Sequence, residues 1–550
     1  MAEMIRLTVD GIAVEVEKGS PVIEAARKAG VIVPHYCYHP GLSIAGNCRM
    51  CLVEIEKTPK LVTSCTTQAA DGMVVYTRSE KVKKAVAGVE EFLLANHPLD
   101  CPICDQAGEC RLQDYSYKYG NAASRFREQR MQFKKGVEIG PHVILDSERC
   151  IVCTRCVRFC GEITKTGELN VFQRGLRNEI GIFPGLALTN DYSGNVVDIC
   201  PVGALTLKEF RFRRRVWFIR DIPSVCGACA SGCNVNVGTG ENRIWRLTPR
   251  ENATSNGWWM CDEGRLSYQR LYAAPRLRNP EARQGSSFAE IPIQDAIGRM
   301  AERLKSAPAG AAAVIASANL TVEDLWVLKR LASEGVPGIR VVVPERTRGK
   351  DDGFLIRADR TANRKGAAIL GFDVDAGSAS SKALLAEVAS GKITTLLVLG
   401  EDPSTLPGWD AALAALQRPG ASLIVIDPLL TGTAAAAPLR CPAAAYGEFD
   451  GTWVTCNGRA QRVRRGITPR AACLPCWQIL AAVMQKMGVK AAYQSAAEIL
   501  REVAAKLPAF ANVNWTALGP GGMQLALGAG EAADGRAPQG LPSPAWVARG

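Results

Sequence analysis

Residues 4–17, MIRLTVDGIAVEVE, alternate apolar and polar positions on either side of Asp10-Gly11. Period-two alternation around an Asp-Gly pair predicts a two-stranded hairpin. The following SPVIEAARKAG offers a Ser cap, Pro at the first helical position and a closing Gly, which predicts a helix over 20–29. Residues 80–96, EKVKKAVAGVEEFLLAN, carry apolar residues at helical spacing and predict a second helix. From there to about residue 215 the pattern reads as short helices and loops. A small strand-rich unit is expected from about 219 to 270, and APRLRNPEARQGSS reads as a linker.

Beyond residue 288 the texture changes. AAAVIASA, GIRVVVP, TTLLVLG and SLIVIDP are short apolar runs of the kind that form buried parallel strands. IQDAIGRMAERLKS and TVEDLWVLKRLASEG between them read as covering helices. Alternating helices and buried strands predict a doubly wound α/β domain. No G-x-G-x-x-G follows any of these strands, so a dinucleotide site of that type is not supported. The stretch EAADGRAPQGLPSPAWVARG, residues 531–550, is expected to be a flexible tail. The fold class is therefore α+β multidomain, with a C-terminal doubly wound α/β part.

At 550 residues several domains are expected rather than one core. With 47% apolar and 22% charged residues the composition is that of a soluble globular protein. No apolar run approaches the roughly 20 residues of a membrane-spanning helix. The N-terminal MAEMIRLTVDG lacks a signal-peptide core, so a cytoplasmic location is expected, with membrane attachment only through a complex. The net charge of +12 is concentrated in KEFRFRRRVWFIR at 208–220 and RFREQRMQFKK at 125–135. No nucleic-acid motif accompanies these runs, which read as a solvated face or a seat for an acidic protein partner.

The twenty cysteines change the picture more than the charge does. Sixteen fall before residue 262, in clusters spaced by two or three residues, a pattern that in a reducing compartment points to metal. Cys37, Cys48, Cys51 and Cys65 form a C-x10-C-x2-C loop with a distant fourth thiol, which suits a [2Fe–2S] rhomb, with Gly46 letting backbone N–H groups approach. In HPLDCPICDQAGEC, Cys101, Cys104 and Cys110 are one donor short of four, and His97, one of four histidines, stands ahead of Pro98, which turns the chain toward them. A neutral imidazole in place of a thiolate changes cluster charge. His35 and His39 flank a set already complete and are expected to be structural.

In CIVCTRCVRFC, Cys150, Cys153 and Cys156 suit three irons of a [4Fe–4S] cubane, and Cys200, before Pro201, is the expected fourth ligand. Cys160 then reads as a buried free thiol. CGACASGC and WWMCDEGR supply Cys226, Cys229, Cys233 and Cys261, again a [4Fe–4S] spacing. Zinc competes for any four thiolates taken singly. Four sets in series read as an electron-transfer wire.

These motifs, in this order, resemble the large iron–sulfur subunit of respiratory complex I, the 75 kDa or G subunit family of NADH:quinone oxidoreductases, over residues 4–275. The resemblance implies a ferredoxin-like β-grasp 2Fe–2S domain at 1–80 and a His(Cys)3-ligated 4Fe–4S stretch at 81–120, with His97 a ligand. It further implies a 4Fe–4S ferredoxin-like domain at 141–215 and a 4Fe–4S domain of the pterin-enzyme type at 219–275. The cofactors expected are one 2Fe–2S and three 4Fe–4S clusters. The chain has no substrate site of its own in this reading. It relays electrons from a flavin-bearing, NADH-oxidising subunit to quinone-side iron–sulfur subunits on the cytoplasmic face of the inner membrane, and the whole complex translocates protons.

Residues 276–530, through LLVLGEDP and EFDGTWVTCNGRAQRVRRG, resemble more weakly a truncated molybdopterin-binding domain of formate dehydrogenases. That likeness implies a second reading, the catalytic subunit of an NAD-linked molybdopterin enzyme. In those enzymes a cysteine or selenocysteine a little over a hundred residues past the last cluster holds the metal. Here none stands between Cys261 and Cys441, so no molybdopterin is expected. Cys441, Cys456, Cys473 and Cys476 are left without an assigned role.

Overall fold

The computed structural model describes residues 3–346, 349–375 and 379–527, so the expected tail at 531–550 lies outside the described residues. The chain divides into two units at about residue 219. In the first, β1 (Met4–Val9) and β2 (Ile12–Glu17) form the expected antiparallel hairpin, with Val9 opposite Ile12. Asp10 and Gly11 both have positive φ, 46° and 83°, the backbone that a two-residue turn joining twisted strands requires. The sheet order is β2-β1-β5-β3-β4, adding β3 (Leu52–Ile55), β4 (Val62–Thr63) and β5 (Val74–Tyr76), and β5 runs parallel to β1. Helix α1 (Val22–Lys28) crosses it, and Val22, Ile23 and Ala26 share a core with Ile5, Leu7, Val9 and the thiols Cys51 and Cys65.

Helix α1 starts one residue later than the pattern suggests. Pro21, not Ser20, holds the N-cap position, and no side chain caps it. Helix α2 (Glu80–Ala95) matches its expected span and is capped by Ser79 Oγ, which accepts from the Val82 N–H at 3.3 Å. Helix α3 (Arg111–Tyr119) follows the second cysteine set. A second apolar core under α2 and α3 holds Tyr36, Met50, Val82, Val86, Leu112, Val202 and Ala204 together with Cys37, Cys110 and Cys153. The segment from 137 onward adds a small sheet in which β7 (Val143–Leu145) lies between β6 (Val137–Glu138) and Leu205–Leu207.

The second unit opens with a three-stranded antiparallel sheet, Arg220–Val225, Asn234–Gly240 and Arg243–Pro249, the strand-rich unit expected there. The stretch that reads as a linker is instead partly a hairpin. Glu281–Gln284 pairs with Ser287–Glu290 around Gly285, whose φ of 61° makes the turn. The hairpin docks on Leu439–Pro442 and closes one edge of an eight-stranded sheet. Its polar sequence conceals the strand because an edge hairpin buries little apolar surface.

The centre of that sheet is parallel and matches the expected strands. Asp373–Asp375, Arg340–Pro344, Ala312–Ala316, Thr395–Leu399, Ser422–Asp427 and Leu439–Pro442 lie in that spatial order. Helices Ile293–Ser306, Val322–Arg330 and Cys476–Lys486 bury one face, and helices Ala379–Ala389 and Trp409–Leu416 bury the other. After Ala312–Ala316 the chain builds outward on one side, then returns at Thr395–Leu399 to the opposite side. Such a reversal opens a crevice at the strands' C-terminal ends.

Candidate metal centres

All sixteen sequence-predicted donors lie within the described residues, and all twenty cysteines are free thiols. No three His, Cys, Asp or Glu side chains among the described residues close around one point as a single ion would need. The predicted donors instead gather in groups around loops and small cavities.

In the first set, Cys37 N–H faces Cys48 Sγ at 3.4 Å, and the Cys51 and Cys65 sulfurs lie 3.3 Å apart. The Cys48 thiol beside it holds Cys37 low, at about 5, so a thiolate forms readily there. Gly46, with φ of 64°, turns the loop so that a Cβ in its place would press on Thr66 at 3.0 Å.

In the second set, His97, Cys101, Cys104 and Cys110 line one small cavity with Asp100, Gln113, Arg149 and Gly203. His97 Nδ1 is buried and has no hydrogen-bond partner. Burial, with Arg149 beside it, holds the imidazole down at about 4, so the ring is neutral at pH 7, the form that ligates iron. An imidazole with an unpartnered ring nitrogen, lining a cavity that also holds three thiols, fits a cluster. A Cβ on Gly203 would overlap Cys104 Sγ, so glycine keeps the cavity open.

The third set lines its own cavity: Cys150, Cys153, Cys156 and Cys200, walled by Leu145, Ile151, Ile180, Val202 and Leu205. Val152 and Thr154 take left-handed backbone, φ 51° and 61°, and the Val152 N–H points to Cys150 Sγ at 3.3 Å. A β-branched residue in that region is an outlier, and here it wraps the loop around the site. Cys160 is fully buried, outside this lining, and burial pushes its thiol up to about 12.

In the second unit, Cys226, Cys229, Cys233 and Cys261 are all buried. Burial, and then the other three thiols, push Cys233 well above the ordinary range, because the four sulfurs lie near enough to repel one another as thiolates. The Gly264 N–H faces Cys261 Sγ at 3.3 Å, and a Cβ at Gly264 would sit 3.0 Å from Cys226 Sγ.

The three sets of the first unit touch through their loops. Asn47 Nδ2 donates to Val152 O at 3.3 Å, and Arg158 donates to the carbonyls of both Cys37 and Cys153, so the first set adjoins the third. The Arg111 N–H donates to Pro201 O at 3.0 Å, and Gly203 abuts Cys104, so the third adjoins the second. Buried Arg149, next to Cys150, donates to Asp100 at 2.9 Å, beside Cys101. The loops of the third set therefore touch those of both other sets.

Sequence reasoning missed Arg149, Arg155, Arg158 and Gly203, because nothing local marks a residue that serves a distant loop. The basic run, read as a solvated face or a partner seat, also makes contacts within the chain. Arg215 donates to the carbonyls of Cys104 and Pro102 at 2.5 and 2.6 Å, and the Trp217 ring covers Gly108, so these residues strap the His97 loop. Phe212 and Phe218 remain exposed. His35 and His39 engage in local hydrogen bonds, to Val33 O at 2.8 Å and from the Gly41 N–H at 3.1 Å, as structural residues do.

At the sheet crevice of the second unit lies a cavity of about 570 Å³. Asn319, Glu401, Asp427, Tyr446, Trp453 and Cys476 are among its walls. Glu401 pairs with Arg346 at 2.8 Å through one oxygen, while the other is buried without a partner. Burial raises Asp427 to about 7.

Family models match five segments. They are the 2Fe-2S iron-sulfur cluster binding domain at 2–80, the NADH-ubiquinone oxidoreductase-G iron-sulfur binding region at 87–125, and the ferredoxin-like domain of NADH-quinone oxidoreductase subunit 3 at 140–206. The molybdopterin oxidoreductase Fe4S4 domain matches 219–273, and the molybdopterin oxidoreductase model matches 346–486.

Among curated proteins, the G subunit of NADH-quinone oxidoreductase from Rickettsia felis is 42% identical over 328 residues, 60% of this chain and 49% of that protein. The NADH-ubiquinone oxidoreductase 75 kDa subunit of Reclinomonas americana is 41% identical over 335 residues, 60% and 48%. The chain thus spans about half the length of the curated relatives it matches. A solved NAD+-reducing [NiFe]-hydrogenase is 30% identical over 38% of this chain and 91% of its own, at a TM-score of 0.35, too low to carry an argument. Over the region shared with these relatives, the chain is similar to the 75 kDa, or G, subunits of NADH-quinone oxidoreductases.

Proposed function

We propose that the chain is an iron–sulfur electron-transfer subunit of a respiratory NADH:quinone oxidoreductase. It stands between a flavin-bearing, NADH-oxidising subunit and quinone-side iron–sulfur subunits, in a membrane-attached complex that translocates ions. Partners supply the attachment in this reading; among the described residues no helix is long and apolar enough to cross a membrane. The observation that carries this reading is the shared core of the first unit, which includes Cys37, Cys110 and Cys153, one thiol from each of three sets.

When bound, iron–sulfur clusters supply one-electron chemistry at potentials set by ligands, hydrogen bonds and burial. The chain's residues do the rest. Cys37, Cys48, Cys51 and Cys65 would hold a 2Fe–2S cluster. His97, Cys101, Cys104 and Cys110 would hold a 4Fe–4S cluster, as would Cys150, Cys153, Cys156 and Cys200, and Cys226, Cys229, Cys233 and Cys261. Arg155, Arg158 and Asn47 fix the spacing of neighbouring loops, and Val202, Leu112 and Met50 exclude water between them. The division at 1–80, 81–120, 141–215, 219–275 and 276–530 is supported by the ranges of the family matches.

A molybdopterin does not fit this reading. The crevice cavity has a single sulfur donor, Cys476, whose thiol burial and neighbouring Asp324 push well up. The test is metal analysis of anaerobically purified protein. About fourteen irons per chain with no molybdenum or tungsten is expected, the sum for one two-iron and three four-iron clusters. Stoichiometric molybdenum or tungsten would instead favour a pterin-dependent formate dehydrogenase.

A further inference from the structure

Glu90 is the least exposed carboxylate among the described residues of the first unit. It lies in α2, on the face turned away from solvent, with no exposed surface. The Tyr36 hydroxyl donates to its Oε2 at 2.7 Å, and its Oε1 is buried without a partner. A surface carboxylate at that place would be a simple helix residue. A buried one with a free oxygen carries a desolvation cost that fold stability alone does not require.

The surroundings identify what Glu90 faces. Tyr36 immediately precedes Cys37 in the chain, and its ring meets that of Tyr115 at 5.4 Å, which in turn meets Tyr119 at 5.6 Å. Helix α3 presents Leu112, Tyr115 and Tyr119 to the same core, with Cys110 at its N-cap. Strand β3 contributes Leu52, and Glu54 lies two residues along that strand. On α2 itself the next residue, Glu91, pairs outward with Arg125 at 2.6 Å. The one group in direct partnership with Glu90 is thus a phenol, Tyr36, which interacts electrostatically with the Cys110 thiol.

We propose that Glu90 is a proton acceptor coupled to electron arrival at the site bounded by Cys110. One electron enters that site from a low-potential donor, a reduced flavin in the complex or dithionite in a titration. One proton enters from water and converts the Glu90 carboxylate to a carboxylic acid, while Tyr36 keeps its own proton as donor. On reoxidation both leave, so the charge in the core is conserved through the cycle. This inference rests on the electron-transfer reading above. Burial already lifts Glu90 to about 7 against the opposing bond from Tyr36, so its titration falls in the working pH range. A negative charge added nearby moves it further up.

The experiment is an EPR-monitored redox titration of the whole iron-loaded chain between about pH 6 and about pH 8. The relevant signal is the one altered by His97→Ala. Its midpoint is expected to fall as pH rises, by up to about 59 mV for each tenfold drop in proton activity, the one-electron limit. In Glu90→Gln the same midpoint is expected to be flat. Infrared difference spectra of reduced minus oxidised protein should gain a carboxylic-acid carbonyl band in the wild type that Glu90→Gln lacks.

Tyr36→Phe removes the bond that favours the carboxylate, so it should move the pH-dependent window upward. It also keeps the proposal open to refutation where Glu90→Gln does not fold. A flat wild-type midpoint, a slope retained in Glu90→Gln, or a window unmoved in Tyr36→Phe overturns the proposal while leaving the electron-transfer reading intact. Loss of every iron–sulfur signal in the wild type overturns both.

Discussion

At the scale of single residues, His97 contributes the absence of a charge. Replacing it with cysteine supplies a thiolate and completes an all-sulfur set, so four cluster signals should survive in His97→Cys. One midpoint should drop, by on the order of 100 mV for a unit charge in partly screened surroundings. His97→Ala should lose or alter that one signal and leave three, as read by EPR. Because burial holds the imidazole at about 4, ligation through it should persist to mildly acidic pH.

A different residue contributes to the second unit's stability against pH. Glu323 is fully buried, accepts from Thr452 N–H and Oγ at 2.8 Å, and burial lifts it to about 8. Its folded value lies above the unfolded one, so its contribution is complete below the unfolded carboxylate range near 4.3 and is lost as pH rises through about 8. Urea unfolding followed by fluorescence should give a lower midpoint at pH 8 than at pH 5, and Glu323→Gln should flatten that slope. An unchanged slope in the variant would assign the dependence elsewhere.

At the scale of elements, glycines and arginines decide whether neighbouring loops fit. Gly203→Ala drives a methyl into Cys104, so the His97 site should fail to load while the second unit's cluster is retained, measured as a loss of about four irons per chain. The hairpin at Asp10-Gly11, helix α2 and the four central parallel strands were legible because each depends on local periodicity and turn chemistry. The cap of α1 slipped from Ser20 to Pro21 because the two offers compete one residue apart. The edge hairpin at Glu281–Glu290 was hidden by its polarity. Arg215 and Trp217 read as surface because the surface they cover belongs to a loop about a hundred residues earlier. All four candidate donor sets could be listed from the motifs, whereas the contacts that bring the third against both the first and the second could not. They rest on Asn47, Arg158 and Arg111, residues with no motif of their own.

At the scale of the whole molecule, the two units depend on metal differently. In the first unit the ligand thiols are core: Cys51 and Cys65 pack beneath α1, and Cys37, Cys110 and Cys153 pack beneath α2. In the second, the α/β sheet has large apolar cores on both faces that include none of its cluster ligands. Chelating the iron should therefore melt the first unit and leave the sheet folded, because ligand binding and folding are linked where ligands form the core. Hydrogen exchange on the intact chain, before and after chelation, should show protection lost over residues 4–210 and retained over the strands at Ala312–Ala316, Thr395–Leu399 and Ser422–Asp427.

The nesting of Gly203, Arg215 and Trp217 against the Cys101–Cys110 loop has a consequence for how the protein is made. A ribosome releases the His97 loop long before it has produced the residues that wall it in. That loop must wait, open and oxidisable, for about a hundred further residues to emerge. Iron inserted earlier would meet an unwalled pocket. In the proposed reading, the 4Fe–4S site of the first unit whose ligands are translated first is thus the last to be walled in.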